Sequence, residues 1–191
     1  KHLVRDIISV IEETFPKSIQ LEHQIPSDLW LVHGNATQIH QVLFNLCINA
    51  RDAMPQGGTL RIAAANRRLD AEEARALPGA RPGTWLALEI ADTGCGIAPE
   101  LLDRIWDPFF TTKSADRGTG LGLSTVRGIV VSHHGFIELD STPGCGTTFR
   151  VFLPAVANNP TTATHLSSFD VPKGQGELIL VVDDNQAVRD T

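Results

Sequence analysis

The chain has 191 residues, room for one ordinary domain with part of another, and with 42% hydrophobic residues it can fill a core. A net charge of −6 argues against a general nucleic-acid-binding surface, so no nucleic-acid partner is expected. The cysteines, Cys47, Cys95 and Cys145, are odd in number and widely spaced, which speaks against a structural zinc site or a disulfide framework and fits a reduced, cytoplasmic compartment.

No apolar run approaches the roughly 20 residues of a membrane span, so no membrane contact is expected of this segment; any attachment of the parent protein would lie elsewhere. The opening residues KHLVRDII carry neither Met nor a signal-peptide pattern and read as a chain entered mid-protein. Leu3, Val4, Ile7, Ile8 and Ile11 recur at helical spacing and predict a helix over 2–14, closed by Pro16. Residues 18–24 and 29–33 read as short strands. A strong helix runs from Thr37 to Met54, with Ile39, Val42, Leu43, Leu46, Ala50, Ala53 and Met54 as its apolar set; Pro55 and Gly57-Gly58 stop it. Strands at 59–69 and 84–92 flank a charged, Pro/Gly-rich loop, 70–82, with room for one helical turn. Pro99 to Leu102 begin a short helix, 107–120 has no clean period, and Leu121 to His133 form a further helix. FIELDS and TTFRVFL, joined at Pro143-Gly144, close the domain as a β-hairpin. After Pro154 the composition turns to Asn, Thr, Pro and Ser, so 155–176 reads as a linker, and LILVVDD begins a new buried-type strand. The first 154 residues thus read as one α+β domain, a mixed and mainly antiparallel sheet with helices on one face.

Four stretches carry chemistry. On a wheel of about 100° per residue, Asn45, Asn49 and Asp52 share an arc of the Thr37–Met54 helix turned away from its apolar set. Amide oxygens are hard, neutral ligands that suit Mg²⁺. The plainer reading is a solvated polar face, although Asn competes with the backbone for hydrogen bonds and is a poor choice mid-helix without a task. Asp92 ends a mainly apolar strand, with Gly94, Gly96 and Ile97 after it. A carboxylate so placed can accept from an exocyclic amine, and the glycines let a flat ring approach the backbone; an Asx-type turn into a helix at Pro99 is the alternative. In DPFFTTK, Phe109 and Phe110 can pin a mobile segment and Lys113 can reach a phosphate. GTGLGL, with Gly118, Gly120 and Gly122, opens a helix where free N–H groups favour an anion. It follows no strand, so a dinucleotide-binding reading fails its context; hydrophobic anchors and a flexible hinge are the alternatives.

The four stretches NLCINARDAMPQGG, DTGCGI, DPFFTTK and GTGLGL, in this order, closely resemble the N, G1, F and G2 boxes of sensor histidine kinases, in the ATP-binding catalytic domain of the GHKL ATPase superfamily. The wording resembles the nitrogen-regulation type and its hybrid relatives, and the resemblance covers about residues 15–154. It implies a two-layer α/β sandwich with ATP between sheet and helices. It implies that Asn49 is the main Mg²⁺ ligand, with Asn45 one turn back, and that Asp92 reads the adenine amino group. Gly94 and Gly96 would shape the adenine pocket, and 107–120 would be a mobile lid anchored by Phe109 and Phe110. Lys113 would meet the phosphates, and Gly118, Gly120 and Gly122 would wrap them. Asp52, Ile97, Thr112, Thr119 and Leu121 are counted among the nucleotide contacts, and Thr148 is expected to support Asp92 or a water beside adenine. Two departures stand out. Asp52 sits where many relatives carry a basic residue, and Asn45 sits where some hydrolysing members carry Glu, which favours phosphoryl transfer to a docked histidine over attack by water.

None of His2, His23, His33, His40, His133, His134 or His165 lies in the H-E/D-x-x-x-P-like context of the family's phosphoacceptor. The expected organisation is a connector helix (1–14) from an absent dimerisation and phosphoacceptor domain, the catalytic domain (15–154), the linker (155–176) and the start of a receiver (177–191), where Asp183 and Asp184 would help hold Mg²⁺. Cut off at Thr191, that strand has no sheet of its own and is expected to be disordered or paired with a neighbour's edge. The expected partners are the dimerisation domain and a receiver, in cis or as a separate response regulator. The parent is expected to be a homodimer and this stretch a monomer. Competing readings are a water-hydrolysing GHKL ATPase and a degenerate nucleotide-binding scaffold.

Overall fold

In chain order the elements are α1 (His2–Thr14), β1 (Ile19–Gln24), β2 (Leu31–Val32), α2 (Ala36–Ala53), β3 (Gly58–Leu69), α3 (Ala71–Ala76), β4 (Gly83–Asp92), two 3-10 turns (Pro99–Leu101 and Arg104–Trp106), α4 (Gly122–Ser132), β5 (Phe136–Thr142) and β6 (Gly146–Val156). The computed structural model describes residues 2–113 and 118–156. Ala155 and Val156, expected to open the linker, are instead the end of β6, where they pair with β2; the rest of the expected linker, the strand expected at 177–182, Asp183 and Asp184 lie outside the described residues.

The sheet runs β1-β3-β4-β6, and the far side of β6 is shared between β5 and the two-residue β2. β1 and β3 pair in parallel and all other pairs are antiparallel. A parallel pair needs a crossover, and α2 lies on that connection, which lays it across one face of the sheet. The side-chain period of two then sorts every strand. Leu60, Ile62, Leu88, Ile90, Phe149 and Val151 face the helices and are buried. Against them pack Val4, Ile7, Ile8 and Ile11 of α1, Val42, Leu43 and Leu46 of α2, and Val126 and Val130 of α4. The boundary expected after residue 14 is therefore not a structural one. Ile7 and Ile11 are among the most deeply buried side chains, and α1 belongs to the same compact unit as the rest of the domain.

The opposite face is not bare. Leu69, Trp85, Phe136 and Phe152 form a second small cluster there, with Leu77 and Ala80 packed over it. Phe136 stacks on Phe152 at 4.4 Å between ring centroids, and Trp85 meets Phe136 edge-on at 5.0 Å. The stretch read as a loop, 70–82, supplies this cover and contains α3. Asp70 accepts from the Glu72 and Glu73 amides while Glu73 reaches back to the Asp70 amide, a reciprocal cap that holds a helix of six residues. Among the described residues no helix is long and apolar enough to cross a membrane.

One side chain ties the helix layer together at the end remote from Asp92. The His133 Nε2 accepts from the Asn35 amide at 3.0 Å, and its Nδ1 lies 2.8 Å from the Ile129 carbonyl. The carbonyl has no proton to give, so Nδ1 carries the hydrogen and Nε2 is the free acceptor. Asn35 itself caps α2 by accepting from the Gln38 amide.

Candidate functional site

Asp92 is the last residue of the central strand, opposite Leu60 on one side and Thr147 on the other. Strand alternation puts its side chain on the helix-facing side, in line with Leu88 and Ile90. Its Oδ1 accepts from the Gly94 amide at 2.8 Å, so the Asx-type turn is present and is part of the site. Burial pushes the Asp92 carboxyl above its ordinary value, opposed by the backbone N–H groups of Gly94 and Thr147.

The DTGCGI loop is sewn to its surroundings by backbone. The Cys95 amide donates to the Ala53 carbonyl at 3.0 Å, the Gly144 amide to the Cys95 carbonyl at 2.8 Å, and the Ile97 amide to Ser141 Oγ at 2.9 Å. Ser141 Oγ in turn lies 2.9 Å from Thr147 Oγ1. Gly96 has φ of 68°, and a Cβ there would stand 2.2 Å from the Thr142 carbonyl oxygen, so only glycine lets the loop lie on the β5–β6 hairpin. Gly94 is pressed against Ala53 of α2 in the same way and lies behind the wall of the cavity.

The cavity this creates holds about 620 Å³, within the range of small-molecule sites. Asp92, Gly96, Ile97 and Thr147 line one end, with Phe149, Leu101 and Ile105 as apolar walls. Trp106 backs Phe149 edge-on at 6.1 Å. Asn45, Asn49 and Asp52 line the other end from α2, facing Thr112, Lys113, Gly118, Thr119, Gly120 and Gly122. The polar stripe of α2 is thus roofed over, and the solvated-face reading does not hold for it. Asn45 Nδ2 donates to the Gly122 carbonyl at 3.3 Å, which commits the amide nitrogen and leaves the oxygen to the cavity. Lys113 Nζ donates to Asp52 Oδ2 at 2.6 Å and lies 3.3 Å from Asn49 Oδ1. Arg51 pairs with the other Asp52 oxygen at 2.8 Å. Burial alone would raise Asp52; the hydrogen bonds and charges of Lys113 and Arg51 outweigh it and hold the carboxyl below its ordinary value.

Three expected contacts fall elsewhere. Thr148 pairs with Ala91 and faces the outer side of the sheet, whereas Thr147, one residue earlier, is 5% exposed and lines the cavity beside Asp92. Phe109 is 74% exposed and anchors nothing through its ring; it is Phe110 that lines the cavity, with the Arg104 guanidinium 4.6 Å over it. The cause is the left-handed backbone of Phe109, φ 66°, which turns the two neighbouring rings apart. What holds Phe109 is its amide, donated to the Gly120 carbonyl at 3.0 Å, at a contact so close that a Cβ on Gly120 would lie 2.3 Å from the Phe109 carbonyl carbon. Leu121 is the residue before α4, part exposed and off the cavity wall. Ser141 and Thr147 were missed by sequence reasoning; the β4–β6 register, which sets Thr147 opposite Asp92, and the β5–β6 register, which sets Ser141 opposite Thr147, are the signals that place them.

A hard cation fits the two amide oxygens that Asn45 and Asn49 present one turn apart on α2, beside a carboxylate, Asp52, whose oxygens are already taken by Lys113 and Arg51. Among the described residues no group of three or more His, Cys, Asp or Glu is placed to hold a metal.

Residues 34–157 match the family described as histidine kinase-, DNA gyrase B-, and HSP90-like ATPase. The sensor kinase CckA of Brucella abortus is 38% identical over 199 aligned positions, covering 98% of this chain and 20% of that protein. The two-component sensor PprA of Pseudomonas aeruginosa is 40% identical over 140 positions, covering 73% of this chain and 14% of its own length. The chain therefore spans a fifth or less of these two relatives. Among solved structures, the catalytic domain of the histidine kinase ThkA in a nucleotide-free form superposes with a TM-score of 0.64 at 29% identity, over 81% of this chain and 91% of that one. The curled mixed sheet with helices on one face matches the fold of that kinase domain, and with the match over 34–157 the chain belongs to the histidine kinase-, DNA gyrase B- and HSP90-like ATPase family.

Proposed function

We propose that the chain is the ATP-binding catalytic domain of a hybrid, nitrogen-regulation-like sensor histidine kinase, which hands the ATP γ-phosphate to a histidine on a separate dimerisation domain. The observation that carries it is the division of one cavity between two chemistries. A desolvated carboxylate in apolar walls, Asp92, suits the exocyclic amine of adenine, and the Asn45–Asn49 stripe opposite Lys113 and the glycines suits a triphosphate. Mg²⁺ on the Asn49 and Asn45 oxygens would neutralise charge on the phosphates as the phosphoryl group leaves. Asp92 orients the adenine, the Gly118–Gly122 run brings backbone to the phosphates, and Lys113 supplies a compact positive charge. No carboxylate stands at position 45 to draw a proton from water, which supports transfer to a histidine over hydrolysis.

The tail supports a receiver after residue 176. LILVVDD reads as a strand ending in an acidic pair, and the alignment with the Brucella sensor kinase covers 98% of the chain. The acceptor histidine, the receiver's own aspartate and the dimer contacts would belong to the rest of the parent, in the cytoplasm.

Calorimetric titration with ATP, with and without Mg²⁺, tests the reading. Asn49→Ala is expected to abolish most of the Mg²⁺ dependence while binding of adenosine persists. Undiminished Mg²⁺ dependence in Asn49→Ala would remove the metal role from α2, and no binding of any adenine compound would leave the scaffold reading in its place.

A further inference from the structure

The ion pair between α2 and the 107–113 stretch separates two cavities. Asp52 and Lys113 line the site described above, and they are also the two residues it shares with a second, open cavity of about 770 Å³ bounded by Pro16, Ser18, Arg51, Met54 and Pro55. The pair is short and part-buried, with side chains 23% and 33% exposed. The ammonium does not rest on Asp52 alone, because it also reaches Asn49 Oδ1, the oxygen given above to the divalent ion. A positive charge thus already occupies the cation's neighbourhood, held there by a carboxylate.

We infer that Asp52 is a specificity-determining residue: it keeps the Lys113 ammonium on Asn49 as a resident cation, so that the site discriminates against metal-free triphosphate and admits the Mg²⁺-bound form. The inference rests on the nucleotide reading. The physical argument is a balance of charges. A metal-free triphosphate entering this end must either draw Lys113 away from Asp52 or lie beside a carboxylate whose neutralising partner is shared, and both oppose binding. A triphosphate carrying Mg²⁺ brings a cation that can take the Asn49 oxygen and stand beside Asp52. Lys113 is then released to the phosphate without leaving the carboxylate uncompensated. Arg51, on the other Asp52 oxygen, keeps that carboxylate ionised in either state.

The test is titration of the chain with adenosine, with ATP in EDTA and with ATP in Mg²⁺, in the wild type, Asp52→Asn and Lys113→Met. In Asp52→Asn, adenosine is expected to bind as in the wild type, metal-free ATP to bind about five-fold more tightly, as suits one exposed-to-part-buried ion pair, and the gain from Mg²⁺ to shrink. In Lys113→Met the order reverses: metal-free ATP weakens by a similar factor and the gain from Mg²⁺ grows. A residue that merely stabilised the fold would move both variants the same way. Hydrogen exchange without nucleotide supplies a readout free of binding, and faster exchange of the Thr112 and Lys113 amides in Asp52→Asn is expected. Metal-free ATP binding unchanged or weakened in Asp52→Asn, with adenosine intact, overturns the inference and spares the nucleotide reading. So does loss of Mg²⁺-ATP binding alone, which would make Asp52 a metal ligand. If the wild type binds neither adenosine nor ATP, the nucleotide reading falls and this inference with it.

Discussion

The two ends of the cavity each hold a carboxylate, and the two are treated in opposite ways. Asp92 ends the central strand, is met by neutral backbone N–H groups, and is pushed up by burial. Asp52 sits on a helix surface, is met by two cations, and is pulled down by them. The first arrangement is fixed by sheet register and backbone hydrogen bonds, so it is ready before a ligand arrives. The second is made by long side chains that can change partners. A site for a flat, neutral ring can be rigid and poorly solvated; a site for a mobile polyanion does better with charges that can be exchanged.

The sharpest way to break this contrast is Asp92→Asn. Losing the charged acceptor is expected to weaken ATP by about 1.5–3 kcal/mol, the value of a hydrogen bond to an ionised group, with the loss equal for ATP and adenosine in a titration. The same substitution has a stability signature. A carboxyl whose folded-state value is raised contributes stability below the ordinary carboxylate range and loses it as pH rises through the folded value. Ionised Asp92 therefore costs stability at neutral pH, and Asp92→Asn should melt higher than the wild type at neutral pH, with the gain fading in acid. For Asp52 the sign is opposite. Its lowered value contributes stability above the ordinary carboxylate range that is lost as pH falls through the folded value, so Asp52→Asn should melt lower at neutral pH and converge with the wild type in acid. Thermal melts of both variants across that range read the two signs directly, and parallel behaviour would dissolve the distinction between the ends.

Gly120→Ala attacks the phosphate end through backbone. A Cβ there meets the Phe109 carbonyl carbon at 2.3 Å and φ is 66°, so about 1–3 kcal/mol of local strain is expected, read as weaker ATP binding with adenosine little changed. At the adenine end a matched pair gives the smallest effect. Thr147→Val removes a buried hydroxyl from the Ser141 contact and should cost about 1 kcal/mol of stability, whereas Thr148→Val on the outer face should stay within about 0.5 kcal/mol. Equal costs in chemical denaturation would mean that the β4–β6 register places the wrong threonine at the cavity.

The same pair shows what was legible in the sequence and what was not. Helices α1, α2 and α4 and the long strands announce themselves by local period, because a buried face of one element needs only that element's residues. The Asn45, Asn49 and Asp52 stripe and the strand-terminal Asp92 are local in this sense too. Choosing between Thr147 and Thr148 is not, since a one-residue change of register against β4 exchanges the faces, and β4 lies more than fifty residues upstream. Phe109 and Phe110 are equally apolar, and a single left-handed backbone position decides which of them turns inward. The ion pair of Lys113 with Asp52 joins residues 61 apart and leaves no mark on either neighbourhood. The helix in 70–82 was written in its capping residues, Asp70 and Glu73, and hidden by the charge and the Pro/Gly content around them.

The place of β6 in the sheet has a consequence for the order of synthesis. It pairs with β4 along most of that strand's length, pairs with β5 on its other side, and at its end receives β2 from near the beginning of the domain, Leu31 opposite Val156. It also brings Thr147 and Phe149 to the cavity. A chain growing from the ribosome has Asp92 and the α2 asparagines in hand long before the last strand emerges, yet it has no closed pocket to offer. ATP added to arrested nascent chains is accordingly expected to protect them from proteolysis only once Val156 has left the exit tunnel.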